Sequence, residues 1–219
     1  MTAQTLARPE QSVQLSGISW QTYESLLAEI GDGVPPRKLR QIRLTYNRGN
    51  LEIIVPSAEH ERFKEVLGRF VETLAEELDV KIEPLGSTTF KRPELSGKEP
   101  DKCFYIQNIS AVKGKKRIDM NQDPPPDLVV EIDITSRSKN SLQIYADLGV
   151  PEVWIYNGVR FRINRLENGE YVECEISLAF PSVAVLEIVR FLEQAETMDY
   201  LELIKAFRTW VKSQIQQNQ

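Results

Sequence analysis

The chain is poor in the residues that usually announce chemistry. Its 219 residues include two cysteines, Cys103 and Cys174, too few for a disulfide framework and without metal-ligand spacing, which points to a reduced, cytoplasmic setting. The single histidine, His60, excludes His-rich metal sites and makes any Ser-His-Asp triad depend on one residue. No GxxxxGK or GxGxxG loop occurs, and Ser136 lacks the flanking glycines of a nucleophile elbow. No segment approaches the ~18 apolar residues of a membrane span. The first residues, Met1 to Pro9, hold no apolar run suited to a signal peptide. Positive charge is not in excess either: the net charge is −5. This argues against a surface coated for nucleic acid and leaves a local patch as the electrostatic route. Lys113-Gly114-Lys115-Lys116-Arg117 is one such run, equally suited to a solvated loop.

What the chain does have is an acid-bearing strand. Asp127 to Ile134 reads Asp-Leu-Val-Val-Glu-Ile-Asp-Ile behind Pro124-Pro125-Pro126, which cannot be strand interior. Side chains alternate along a strand, so Glu131 and Asp133 share one face while Val130, Ile132 and Ile134 share the other. A strand apolar on both faces is usually central in a sheet. Two acids in such a strand are costly unless something neutralises them. A divalent cation would do so, and so would a buried Arg or Lys. At about 3.3 Å per residue, Glu131 and Asp133 stand roughly 7 Å apart and can converge, whereas Asp127 is roughly 13 Å from Glu131 and marks the start of the strand. Asp101, which follows Pro100 and opens another apolar strand, is the candidate partner. Asp101, Glu131 and Asp133 would form an oxygen-rich site for Mg2+ or Mn2+.

The remaining pattern predicts an α/β (α+β) protein. Ser19 to Ile30 reads as a helix ended by Gly31, and residues 40–46 and 51–55 as strands joined at Asn47-Arg48-Gly49-Asn50. Ser57 caps a long helix over 58–78 with Phe63, Val66, Leu67, Phe70, Val71, Leu74 and Leu78 as its apolar stripe. By helical phase, Glu59 and His60 lie near that stripe and can face the acids, while Glu61 and Glu65 lie on the solvated side. Short strands are expected at 80–83, 87–91 and 101–107, and a helix at 141–148. Asn157-Gly158 suits a type I′ hairpin turn, and Asn168-Gly169 leads to a third strand of a meander. Residues 183–216 read as helical. The division expected is a flexible lead over 1–17, a domain over 18–195, and a C-terminal helical extension over 196–219 packed on the same domain.

Pro100-Asp101, followed after a strand and loop by Glu131-x-Asp133, resembles the PD-(D/E)XK nuclease superfamily. The closer resemblance is to the putative restriction endonucleases of the Uma type. It rests on Pro56-Ser57-Ala58-Glu59-His60, on Pro126 to Glu131, and above all on Tyr145-Ala146-Asp147-Leu148-Gly149-Val150-Pro151-Glu152-Val153-Trp154. The resemblance covers roughly residues 18 to 195. It implies a restriction endonuclease-like core, a mixed sheet flanked by helices, with Mg2+-dependent phosphodiester hydrolysis of DNA and a homodimer as expectations. Asp101, Glu131 and Asp133 would be the metal ligands, and His60 an additional site residue. One departure stands out: the superfamily places lysine two residues after the glutamate, where this chain has Asp133. Lys139 is the first candidate for a relocated lysine, ahead of Lys102 and Lys91. The alternative is a decayed nuclease fold serving as a dimeric DNA-binding or interaction module.

Overall fold

A computed structural model describes residues 11–30, 42–86, 88–134 and 138–217, with only the backbone of 138–140. Two sheets carry the site. The first is five-stranded and antiparallel, in the order β1 (Gln11–Ser16), β3 (Asn50–Val55), β2 (Arg43–Asn47), β6 (Ser96–Lys98), β5 (Phe90–Arg92). The turn between β2 and β3 is tight because Arg48 and Gly49 both take positive φ, 46° and 86°, as a type I′ connection requires. Helix α1 (Trp20–Ile30) covers one face of this sheet. Its Tyr23 stacks on Tyr46 at 5.1 Å and packs with Leu44 and Leu51. Gly97 on β6 permits this approach, since a Cβ there would lie 2.4 Å from the Tyr23 hydroxyl. The opposite face of the sheet points Arg43, Thr45, Glu52 and Ile54 toward a cleft.

The second sheet is six-stranded and mixed, in the order β11 (Glu170–Cys174), β10 (Phe161–Glu167), β9 (Glu152–Tyr156), β8 (Leu128–Ile132), β7 (Lys102–Tyr105), β4 (Glu83–Pro84). Among the described residues only β8 and β9 are parallel, and they flank the α4 crossover (Ser138–Leu148). Strand β8 is buried throughout, as a central strand should be. Leu128, Val130 and Ile132 pack against the long helix α2 (Ala58–Glu77) in the main core. Val129 faces the other way, among Cys103, Val153, Ile155 and α4's Ile144 and Tyr145.

Behind α2 the chain closes with a 3-10 turn (Val185–Ile188), α5 (Val189–Leu192) and α6 (Tyr200–Gln217). A short helix, α3 (Ile109–Val112), precedes the loop into β8. Phe207 of α6 stacks on Phe70 of α2 with ring centroids 4.0 Å apart. Among the described residues no helix is long and apolar enough to cross a membrane.

Several expectations shift. Residues 11–16, read as part of a loose lead, form β1. Strand β6 and helix α3 had no sequence counterpart. Asn157-Gly158 does not make a two-residue turn, because Tyr156 pairs with Phe161 and leaves a four-residue loop. There the Asn157 side chain accepts from the amides of Val159 and Arg160, at 3.1 and 2.7 Å. Asn168-Gly169 does form the turn expected there, a two-residue one with φ of 52° and 87°. The C-terminal helical stretch is broken by turns between α5 and α6.

Candidate active site

The cleft lies where the two sheets meet. Antiparallel pairing of Lys102 with Val130 and Cys103 with Val129 places Asp101, one step further, opposite Glu131. The two acids therefore approach from adjacent strands on the same face of the sheet, and both are buried. Asp133 follows at the end of β8. It too is buried, and its amide donates to the Tyr156 carbonyl at 2.8 Å. Asp101, Glu131 and Asp133 all line the cleft, with His60.

Each carboxylate has specific partners. Asp101 Oδ1 accepts from Arg43 Nη1 and lies 2.8 Å from His60 Nε2, while Oδ2 accepts from the Ile132 amide at 2.7 Å. His60 is held there by its own helix start. Ser57 caps α2 by accepting from the His60 amide at 3.1 Å, which fixes the first turn and directs the ring inward. Glu131 is pinned by Lys98 Nζ at 3.0 Å on Oε2 and by the Tyr145 hydroxyl on Oε1. Burial, with the Glu131 charge beside it, pushes the Tyr145 pKa well up, so this hydroxyl stays a donor.

The cleft is acidic in composition. Glu52, Glu99, Asp101, Glu131 and Asp133 line it against Arg43 and Lys98. Asp101 and Glu131 each meet a cation from the first sheet, so buried ion pairing is realised here. Among the described residues, no three His, Cys, Asp or Glu side chains gather closely enough to hold a metal ion. The donor chemistry still fits a hard divalent cation. Mg2+ commonly takes one or two carboxylates and keeps waters for its other positions, and Asp101 and Glu131 are two carboxylates on adjacent strands that would suit it.

The lysine candidates fall in different places. Lys139 falls in the first turn of α4, but its side chain lies outside the described residues. Lys102 turns away from the cleft and pairs with Glu65 of α2 at 3.0 Å. Lys91 pairs with Glu24 at 3.2 Å. Among the described residues, the lysine that reaches Glu131 is Lys98. Its register, one step beyond the Tyr46–Gly97 pair, points it across from Thr45 into the cleft. Arg43 and Tyr145 were also missed as site residues. Glu61, expected to be solvated, is half-exposed and bridges Arg43 at 3.3 Å and Lys64 at 2.9 Å. Burial alone would raise its pKa, but Lys64 and Arg43 hold it below the usual carboxylate value.

Asp127 has a structural task. One of its oxygens accepts from the amides of Ile106, Gln107 and Asn108, at 2.6, 3.0 and 3.3 Å. The basic run over 113–117 leads to this end of β8, away from Glu131, and its Lys115 pairs with Asp123.

Comparison with known proteins gives a consistent picture. The family model described as Uma2, putative restriction endonuclease, matches residues 20–198. Among solved structures, the fold is similar to a putative nuclease belonging to DUF820 from Anabaena variabilis ATCC 29413. The TM-score is 0.52 at 12% identity, covering 80% of this chain and 99% of that one. At that identity the likeness concerns the fold. No curated protein matches the chain.

Proposed function

This chain belongs to the Uma2 family, and from that premise we propose that it is a metal-dependent endonuclease that hydrolyses DNA phosphodiester bonds in the cleft of Asp101 and Glu131. The observation that carries the reading is the convergence of these two buried carboxylates, with a lysine, from separate strands. Asp101 and Glu131 would hold Mg2+ or Mn2+, with Asp133 adjoining. A divalent ion held there would polarise phosphoryl oxygens and lower the pKa of water.

The chain's own groups prepare that chemistry. The Tyr145 hydroxyl and Lys98 fix the Glu131 carboxylate in one orientation. His60 and the Ile132 amide do the same for Asp101. Lys98 takes the part assigned by resemblance to the lysine after the glutamate: it offsets negative charge beside the reacting phosphate. Double-strand cleavage would call for a homodimer, with one site per strand.

The test is plasmid nicking with Mg2+ and Mn2+, run beside Glu131→Ala. Loss of nicking in the variant, with an unchanged thermal transition, supports the assignment. Nicking that survives the substitution removes it. A second reading is favoured by one observation: Asp101 and Glu131 already have cationic partners in Arg43 and Lys98. A decayed nuclease fold acting as a dimeric DNA-binding or interaction module would look the same. Calorimetry separates the two, because the decayed protein takes up no Mn2+ at near-millimolar concentration.

A further inference from the structure

Arg43 sits in an unusual position for a structural ion pair. It comes from the first sheet, 58 positions before Asp101, and its side chain is 13% exposed at the cleft wall. The two ends of its guanidinium serve two different acids. Nη1 donates to Asp101, whose carboxylate is 1% exposed, and Nη2 lies 3.3 Å from Glu61, which is 44% exposed. Asp101 Oδ1 is thus shared by Arg43 and His60, and Oδ2 is used by the Ile132 amide. A divalent ion and a guanidinium cannot comfortably share one carboxylate oxygen, because like charges at contact distance repel in a poorly hydrated site. Of the groups on Asp101, the guanidinium is the one that brings a fixed full positive charge against the carboxylate. Arg43 is therefore the group that must leave when Asp101 takes a cation.

The contact with Glu61, at 3.3 Å, gives the guanidinium a second anchor. Nη2 is already held at the outer side of the cleft, so the guanidinium can pivot about that contact and turn its Nη1 edge into the open space. It then needs a second anion. The planar fork of arginine matches the paired oxygens of a phosphate. The other cation lining the cleft among the described residues, Lys98, lies 3.0 Å from Glu131.

We propose that Arg43 is the phosphate-binding residue of this cleft, exchanging Asp101 for two oxygens of the substrate phosphodiester when the metal site fills. The proposal rests on the nuclease reading and adds to it a substrate contact from outside the acid-bearing sheet. It makes Arg43 a gate as well. In the absence of metal it competes for Asp101, so its removal improves metal binding while it harms phosphate binding. A residue that merely stabilised Asp101 would not produce these opposite effects.

The experiment is calorimetry on the full chain, titrating Mn2+ alone and then inorganic phosphate in the presence of Mn2+, for the wild type, Arg43→Ala and Arg43→Lys. Arg43→Ala is expected to bind Mn2+ on the order of ten-fold more tightly and to lose phosphate binding by a similar factor or more. Arg43→Lys keeps the charge but not the fork, so its Mn2+ affinity stays near wild type and its phosphate affinity falls only part of the way. If Arg43→Ala does not fold, the Arg43→Lys result decides, and wild-type phosphate affinity in that variant overturns the proposal. Wild-type phosphate affinity in Arg43→Ala, or Mn2+ binding no tighter than wild type, overturns it while leaving the nuclease reading intact. Failure of the wild type to bind Mn2+ removes the nuclease reading itself, and this proposal with it.

Discussion

At the scale of single residues, the cleft depends on buried charges being matched. Glu131 has one cation and one hydroxyl, and each loss has a different consequence. Tyr145→Phe leaves the ion pair in place but removes a buried donor, and should destabilise the fold by about 1–3 kcal/mol in urea denaturation. Lys98→Met strands the carboxylate and should cost more, about 3–5 kcal/mol, with much of that recovered in the double variant Lys98→Met/Glu131→Gln. A Lys98→Met cost no larger than that of an exposed lysine would show that Glu131 is neutralised by something else. The residues legible in the sequence were those with a local pattern. Asp101 follows a proline, Glu131 and Asp133 alternate along an apolar run, and His60 has a helical phase and a capping serine. Lys98 and Arg43 carry no such signal. Lys98 sits in a three-residue strand beside Gly97, and Arg43 in a different sheet from its acid. Pairing across sheets leaves no periodicity to read.

At the scale of elements, α2 is the shared support, because its first turn positions His60 and its apolar stripe, through Phe70, receives the C-terminal helix. Phe207→Ala removes the ring stacked on Phe70 from a fully buried position and should cost about 3–5 kcal/mol. The rim of the same α2–α6 contact is ionic. Arg208 bonds Glu76 and Glu77 at 2.6 and 2.7 Å. Its bond to Glu76, with Arg69 adding to it, holds the Glu76 pKa below the usual 4.5. A depressed carboxylate stabilises the fold above its unfolded pKa, and that contribution is lost as pH falls through the folded value. Thermal melts should therefore show the wild type losing its advantage over Arg208→Ala on acidification below about pH 4.5. The effect stays within about 1 kcal/mol, because these groups are half-exposed. An advantage that persists at pH 2 would contradict this. Helix α2 and strand β8 were legible because each has a long, clean period. Strand β1 was not, since its Gln-Ser-Val-Gln-Leu-Ser sequence is exposed and polar, and only its pairing with β3 makes it a strand. The Asn157 loop misled because an Asn side chain that accepts two amides stabilises a longer turn as readily as a tight one.

At the scale of the whole molecule, charge is the governing quantity. The chain carries −5, and among the described residues its cleft holds five acids against two cations, both of them paired. Nucleic-acid affinity usually comes from lysine and arginine neutralising phosphates. Here the divalent cation should supply much of that charge, so binding of a short DNA duplex should strengthen by roughly ten-fold or more when Mn2+ is added at constant ionic strength. Equal binding with and without metal would place the DNA away from the cleft. The central claim is that Asp101 and Glu131 form a metal-dependent hydrolytic site, and supercoiled plasmid with Mn2+ tests it most directly. The wild type should convert it to nicked or linear form, while folded Glu131→Ala and a metal-chelated control leave it supercoiled. Equal conversion by the variant, or no conversion by the wild type with either metal, would contradict the claim.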